Sequence, residues 1–565
     1  LKVLINDRDR AFTKKQMPKF RRLRKEVINH MKYLKSEYLN KAIASGNVKT
    51  MWSAVSYISK RRMKYSCGKF SPEVFSEYFS SNFQKDEVIE EFEGISDKLV
   101  CCDLRLAVGD VRMNMSRIKK VSSGPEGIPS WVFRNCCEYL APAVTLLFNR
   151  SLEEGKVPFS MKLANVLPIP KCANPRQVTD FRPISILPAL SKVFEKLVCA
   201  KWLIPSIQKK VNPHQFAYVP GAGKGTVTAL SAIYLHALQH LDAQSGAVRV
   251  VTIDLAKAFD SLSHKSILNA CVRFSLPKGL VRWIFSYLSE RYQRVTFDNS
   301  YSAWVPLTSG VPQGSVIGPV LFCLVMDSLS TVCINSKLFM YADDITIMHF
   351  IRDQSEDRLQ VELDNIISWC DTLRLNINLS KCFVMDIITK KFLSCCPLYL
   401  RDMRLESVSC LKILGCFLSR DLKWNLFIDY IIKKASKRVY LILCLKRAGC
   451  PADVMYMSFC AFIRPILLYA YPVWCNLPEY LRKKLLVVER RVLRIIDCDS
   501  YATSVFTVGE NMCLKLYRNV VMQEDHPLRC FFNKACARVT RNCSLLRRPK
   551  TKTKRFLDSF IKFSS

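Results

Sequence analysis

A run rich in β-branched residues, Ala247-Val248-Arg249-Val250-Val251-Thr252-Ile253, follows the turn-forming stretch Asp242 to Gly246 and predicts a strand that delivers Asp254 at its end. Two apolar half-strands, Leu338 to Ala342 and Ile345 to Met348, flank Asp343-Asp344. They predict a β-hairpin with the acidic pair at its tip. Further along, the period lengthens: Leu359, Leu363, Ile366, Cys370 and Leu373 mark an amphipathic helix. Ile431, Ala435, Val439 and Ile442 mark another, with Lys433, Lys434, Lys437 and Arg438 toward its other side and Gly449 with Pro451 closing it. Leu481, Leu485, Val488, Val492 and Ile495 repeat the scheme among Arg482, Lys483, Lys484, Arg490, Arg491 and Arg494. Such basic faces suit a phosphate backbone or plain solvent. Short apolar runs and turns fill residues 105 to 245, strands and helices mix from 247 to 420, and helices follow, so the expected fold class is α+β.

A chain of 565 residues exceeds what one core sustains, and three or four structural units are expected. With 49% apolar residues it is not a disordered chain. Lys and Arg number 85 against 48 Asp and Glu. The resulting +37 favours a polyanionic partner, nucleic acid first. The opening residues are especially basic, as in Lys19-Phe20-Arg21-Arg22-Leu23-Arg24-Lys25, and predict a helical extension that is either a solvated linker or a nucleic-acid contact. The 25 cysteines form no C-x-x-C pair, and Cys101/Cys102, Cys136/Cys137 and Cys395/Cys396 lack metal-ligand spacing. Reduced, mostly buried thiols are expected, and with no secretory signal at the start, an intracellular protein of cytoplasm and nucleus. Met455 to Trp474 is apolar but broken by Arg464, Pro465 and Pro472, which predicts a buried segment and no membrane span. The start at Leu1 leads to the expectation of further chain upstream.

Adjacent aspartates repel, and in a largely apolar setting they would cost several kcal/mol unless a divalent cation compensates them. A solvent-exposed Asp-Asp turn is the plainer option. If the fold brings Asp254 to Asp343 and Asp344, the three suit two-metal phosphoryl transfer, with two Mg2+ ions expected and Mn2+ a substitute. Asp260 need not share that site. Gly221-Ala222-Gly223-Lys224-Gly225-Thr226 is not a phosphate-binding loop, because Gly225 stands in the Ser/Thr place and Tyr218 in that of the first glycine. His236 and His240, four apart on a predicted helix, have no third ligand nearby and are expected as a surface pair.

Taken together these segments resemble the reverse transcriptases of non-LTR (LINE-type) retrotransposons, the jockey-like group above all, from about Ser122 to Ile496. Tyr341-Ala342-Asp343-Asp344 resembles the family's Y-x-D-D box, and Asp254-Leu255-Ala256-Lys257-Ala258-Phe259-Asp260 its first carboxylate motif. Gly124-Pro125-Glu126-Gly127-Ile128-Pro129 resembles an early signature, with Glu for Asp. Ala164 to Lys171 followed by Asp180-Phe181-Arg182-Pro183-Ile184-Ser185 resembles the fingers region. Ser309-Gly310-Val311-Pro312-Gln313-Gly314-Ser315 resembles the third box, and Leu375 to Cys382 the fourth palm motif. Lys412-Ile413-Leu414-Gly415 resembles the primer grip. Gln215 to Pro220 resembles a further box but departs from it at Ala217 and Lys224, which touches template positioning and not chemistry.

The resemblance implies a right-hand polymerase fold of fingers, antiparallel-sheet palm and helical thumb. A basic helical extension would occupy residues 1–100, fingers with part of the palm 101–246, palm 247–420, and thumb with a basic tail 421–565. It implies an RNA-directed DNA polymerase with metal-holding, catalytic Asp254, Asp343 and Asp344. Lys381 would be a general acid, although a plain surface lysine fits as well. Lys171, Arg182, Phe259, Gln313 and Gly314 would contact the incoming nucleotide, the Phe259 ring excluding a ribose 2′-hydroxyl. Partners would be template RNA, primer or target DNA and deoxynucleoside triphosphates, with oligomeric state open. An upstream endonuclease, a zinc knuckle and an RNase H domain are expected to be missing. Two other readings share these boxes: an inactive RNA-binding remnant of a mobile element, and a group II intron maturase-like or telomerase-like polymerase.

Overall fold

The computed structural model of the chain describes residues 1–44, 50, 70–83, 104–119, 122–172, 174–221, 223–243, 246–352, 357–388, 395–497, 504–532, 549 and 551–564. Two compact units divide it, one of residues 1–64, 415–518 and 557–565, the other of 65–414 with 519–556. Most of the expected basic extension beyond residue 44, Cys101/Cys102, and residues 533–548 of the basic tail lie outside the described residues.

The larger unit carries, in chain order, β1 (Leu163–Pro170), β2 (Phe181–Ile186), β3 (Ala247–Ala256), β4 (Tyr292–Phe297), β5 (Ser300–Tyr301), β6 (Val305–Pro306), β7 (Lys337–Tyr341), β8 (Asp344–Ile351), β9 (Asn376–Ile377), β10 (Phe383–Ile388), β11 (Tyr399–Leu400), β12 (Met403–Arg404) and β13 (Glu406–Ser407). Among the described residues they form two larger sheets. One has the order β2-β1-β4-β5 with β6 on β4, the other β13-β10-β3-β8-β7 with β9 on β3. The first half of β3, Ala247 to Val251, is buried on both faces, as a run apolar at four of its five positions requires. Arg249 is the exception in that run. It is 1% exposed, and its guanidinium is satisfied by Asp357 at 2.6 Å, Asp386 at 3.0 Å and the Cys396 carbonyl at 2.6 Å.

Charge alone hides one element. The helix Pro72–Ser80, capped by the Ser71 hydroxyl accepting from the Val74 amide at 3.4 Å, lies in the stretch read as a basic extension. Its Phe75 and Phe79 are buried against Val166, Phe181 and Val295 of the first sheet. Each such ring contributes about 1.5–3 kcal/mol by leaving water.

Phe531 and the amides of Lys552 and Thr553, late in the chain, meet the helix Thr226–Asp242. Asp242 ends that helix and accepts from the Lys552 amide at 3.0 and 2.8 Å and from the Thr553 amide. His236 is buried and not on the surface as expected, because Phe339 and Phe531 pack against its ring at 5.7 and 4.5 Å. His240 is half-buried, its Nε2 at 3.3 Å from the Ile351 carbonyl. Burial, then the positive charge of Lys337 and the His214 ring, pull the His236 imidazole down to about 3. Unfolded, it titrates near about 6.5. Between those values the unfolded chain binds the extra proton, so this ring's contribution to stability is full above about 6.5 and falls as pH drops. His236→Phe should therefore gain on the native chain by up to about 1.4 kcal/mol per pH unit between pH 6.5 and 4. Urea midpoints of the two chains across that range check this, and a constant difference would refute it.

The smaller unit is helical, with Lys2–Thr13, Met17–Ala44, Asn425–Arg447, Ala452–Phe462 and Glu479–Ile496. Ile431, Ala435, Val439 and Ile442 are buried as their spacing predicts, and Gly449 at φ 76° follows the helix end. In Glu479–Ile496, Ile496 is buried where Ile495 was expected. Glu489 joins the buried side by accepting from the Val505 amide at 2.9 Å. The apolar run Met455 to Trp474 is broken into short helices, and among the described residues no helix is long and apolar enough to cross a membrane.

Candidate active site

β3 and β8 pair antiparallel from Ala247↔Ile351 to Asp254↔Asp344, which sets the two carboxylates opposite each other on adjacent strands. Asp254 lies inside β3 and not at its end, because Leu255 and Ala256 go on to pair with β9. Across the hairpin Tyr341 pairs with Asp344, leaving Ala342 and Asp343 as the turn. Ala342 takes φ 59°, a left-handed conformation that costs a residue with a side chain about 1–2 kcal/mol. Backbone contacts brace it: Phe216 donates to the Met340 carbonyl at 2.9 Å, and Met340 to the His214 carbonyl at 3.0 Å. The fully buried Gln215 Oε1 accepts from Ala217 at 3.1 Å and Ala342 at 3.4 Å. Thus the box around Gln215 holds up the acidic turn.

On the opposite side of β3, the partner strand passes from β9 to β10 through a bulge whose 3-10 turn is Leu379–Lys381. The bulge aims at Asp254. The Asn378 amide donates to the Asp254 carbonyl at 2.8 Å, and the Asn378 Nδ2 and Lys381 Nζ reach Asp254 Oδ2 at 3.2 and 3.1 Å. Partial burial, then the charges of Asp343 and Asp254, push Asp344 up to about 6, even though the residue is exposed on one side. Burial and the Asp254 charge also raise Asp343, against the pull of Arg182 and Lys381. Such crowding favours a cation or a proton. Among the described residues, however, no three His, Cys, Asp or Glu side chains stand close enough to hold a metal ion as placed. Lys381 and Asn378 take up one Asp254 oxygen instead.

The remaining predicted residues gather nearby. Lys171 follows β1, and Arg182 of β2 pairs with Ile169. Burial first, then Arg182, Lys381 and Lys257, lower the Lys171 pKa, so an anion there is welcome. The Lys171 ammonium meanwhile donates to the Thr179 carbonyl at 2.8 Å. The third box is tied to β2, since the Ser185 amide donates to the Gln313 carbonyl at 2.8 Å. Gly314, at φ 135°, lies so close that a Cβ would meet the Ser185 oxygen at 2.5 Å. Phe259 stacks on Phe322, ring centroids 4.3 Å apart. The Gln313 amide is already engaged, donating to Asp260 Oδ1 at 2.8 Å. Burial pushes Asp260 up to about 6. Asp260 therefore fixes Gln313 and has no hydrogen bond to the three acids among the described residues.

Glu195 escaped the sequence reading. Fully buried on the helix Ala189–Val198, it accepts from the Val316 and Ile317 amides at 2.7 and 3.2 Å and from the Ser191 hydroxyl at 3.2 Å. It thereby anchors the segment between the third box and the helix Gly318–Met326. A charged residue amid Val193, Phe194, Leu197 and Val198 was the available signal.

Residues 169–418 match the family described as reverse transcriptase (RNA-dependent DNA polymerase). Residues 169–418 thus form a reverse transcriptase domain. The probable RNA-directed DNA polymerase from transposon BS of Drosophila melanogaster is 27% identical to it over 378 residues, 63% of this chain and 41% of that protein. The RNA-directed DNA polymerase from mobile element jockey of the same organism is 27% identical over 371 residues, 63% of this chain and 40% of that one. The chain thus spans about two fifths of the length of these relatives. Among solved structures, an apo telomerase from Candida tropicalis aligns with a TM-score of 0.34 at 11% identity, covering 48% of this chain and 55% of that one, too little to support any argument. The architecture is α+β as expected, and the strands β10-β3-β8-β7, all within the matched residues, pair antiparallel throughout.

Proposed function

We propose that the chain is an RNA-directed DNA polymerase that extends a DNA primer on an RNA template, using deoxynucleoside triphosphates. One observation carries this reading: Asp254 pairs with Asp344, with Asp343 in the adjoining turn and the positive charges of Arg182 and Lys381 beside them. Asp254, Asp343 and Asp344 would hold two Mg2+ ions, with Mn2+ able to replace them, supplying charge neutralisation at the phosphate and a more acidic primer hydroxyl. Three hard oxygen donors fit that group, and burial with neighbouring negative charge raises the proton affinity of Asp343 and Asp344. The Lys381–Asp254 pair, 64% and 31% exposed, opposes it by no more than about 1 kcal/mol.

The chain's own residues do the rest. Lys171 and Arg182 bind triphosphate oxygens, Arg182 in a fork. Lys381, freed from Asp254, gives a proton from Nζ to the departing pyrophosphate. Gln313, set by Asp260, and the Gly314 backbone border the nucleotide. Basic helix faces such as Lys433, Lys434, Lys437 and Arg438 suit the phosphate backbone of the duplex. We assign residues 101–246 to fingers, 247–420 to palm and 421–565 to thumb and tail, with 1–100 as the extension. The described cysteines are free thiols, in keeping with a reducing cytoplasm and nucleus.

Purified chain should extend oligo(dT) on poly(rA) with Mg2+ and dTTP, and no extension would refute the reading in favour of an inactive RNA-binding remnant. Phe259→Val should raise the use of UTP relative to dTTP by about tenfold or more, one pocket clash being worth about 1–3 kcal/mol. An unchanged ratio would remove Phe259 from sugar selection.

A further inference from the structure

Away from the carboxylates, the first sheet presents aromatic rings and cations together. Alternation along β4 turns Val295 into the core under Phe75, which sends Tyr292 and Arg294 to the outer face. The β4–β5 turn, Asp298 and Asn299 both at positive φ, is a tight hairpin that brings Tyr301 back over Arg294. The Arg294 guanidinium lies 4.1 Å from the Tyr301 ring centroid and 4.6 Å from that of Trp304, and its Nε donates to Asn165 at 2.9 Å. Both rings remain open to solvent, Tyr301 by 54% and Trp304 by 38%. Tyr292 meets the exposed Phe159 ring at 6.1 Å, and these two line a cavity of about 870 Å3.

The same cavity is lined by two buried cations, Arg291 and Lys162, and by the exposed Arg282. Arg291 is 2% exposed, and its Nη1 donates to the Tyr287 carbonyl at 3.0 Å. Its Nη2 has no hydrogen-bond partner among the described residues. Lys162 is also buried and has Glu290 at 3.5 Å. Arg282 lies across Gly155, where a Cβ would meet it at 2.6 Å. Leaving Arg291 Nη2 unpaired in the interior is costly. Burial pulls the Lys162 pKa down, a penalty that an anion would relieve. Fixed cations inside and open rings at the mouth are the two ingredients of a single-strand site, because only unpaired bases expose faces to stack while phosphates follow positive charge.

We propose that this cavity and the adjoining Tyr301–Arg294–Trp304 platform bind single-stranded RNA, phosphates against Lys162, Arg282 and Arg291, bases on Tyr292 and Trp304. The choice of RNA rests on the proposed function, in which the unpaired strand is the template. Binding is scored without catalysis, so the two ideas fail separately.

The test uses the full chain with excess primer–template duplex to occupy the carboxylate site, and a labelled oligouridine carrying 4-thiouridine. Crosslinks should map to peptides bearing Phe159, Tyr292 or Trp304. By fluorescence anisotropy, Tyr292→Ala and Trp304→Ala should each weaken the oligouridine about tenfold. Tyr292→Phe and Trp304→Phe, which keep a ring, should stay within about threefold of the native chain. Arg282→Gln should lower the slope of log affinity against log salt by about 0.7. Absence of those crosslinks, or well-folded alanine variants that bind like the native chain, would overturn the site. An oligothymidine bound as tightly as the RNA would overturn the assignment to RNA.

Discussion

Asp343→Asn should lower primer extension by at least about 10³-fold, the scale on which loss of one preset charge-stabilising group is felt. The carboxylate sits in a two-residue turn that Gln215 and Met340 brace from below, so the neutral amide keeps the backbone path while removing a charge. Stability should move the other way. Burial and the Asp254 charge raise the Asp343 pKa, which means that the ionised group is strained in the folded chain at neutral pH. Replacing it with Asn should hold or slightly raise the urea midpoint at pH 7. An inactive variant that is also destabilised would point to a misfolded hairpin, and a variant that still extends primers would remove Asp343 from the reaction.

Glu195→Ala should destabilise the larger unit by about 3–5 kcal/mol. Two amides, that of Val316 part-buried and that of Ile317 buried, would lose their acceptor, each at about 1–3 kcal/mol. The positive charge of buried Arg291 would also lose a counter-charge. Domains carry only about 5–15 kcal/mol in total, so this is a large share. Glu195→Gln retains a side-chain oxygen acceptor and should cost much less. Urea unfolding of both variants decides the matter, and alanine and glutamine chains of equal stability would sink this role for Glu195.

Local features were legible in proportion to how little they depended on distant chain. The strand ending near Asp254 and the acidic hairpin were readable because β-branched runs and paired half-strands are local signals. So were the helix faces around Ile431 and Leu481. That Asp254 meets Asp344 came only through the resemblance, since 89 intervening residues carry no pairing signal. Burial set by remote elements was not legible. His236 is enclosed by Phe531, far along the chain, and the Pro72–Ser80 helix was masked by its basic surroundings. Glu195 and the Lys381 bulge act by hydrogen bonds across folded strands, and no periodicity records such bonds.

The Asp242 carboxylate closes onto amides of Lys552 and Thr553, 310 and 311 residues further on. At ribosomal speeds of about 5–20 residues per second, roughly 15 to 60 s separate the synthesis of the two partners. During that interval the helix bearing Asp242 and His236 is without its C-terminal cover. Nascent chains therefore carry that apolar seam open until translation reaches Lys552 and Thr553.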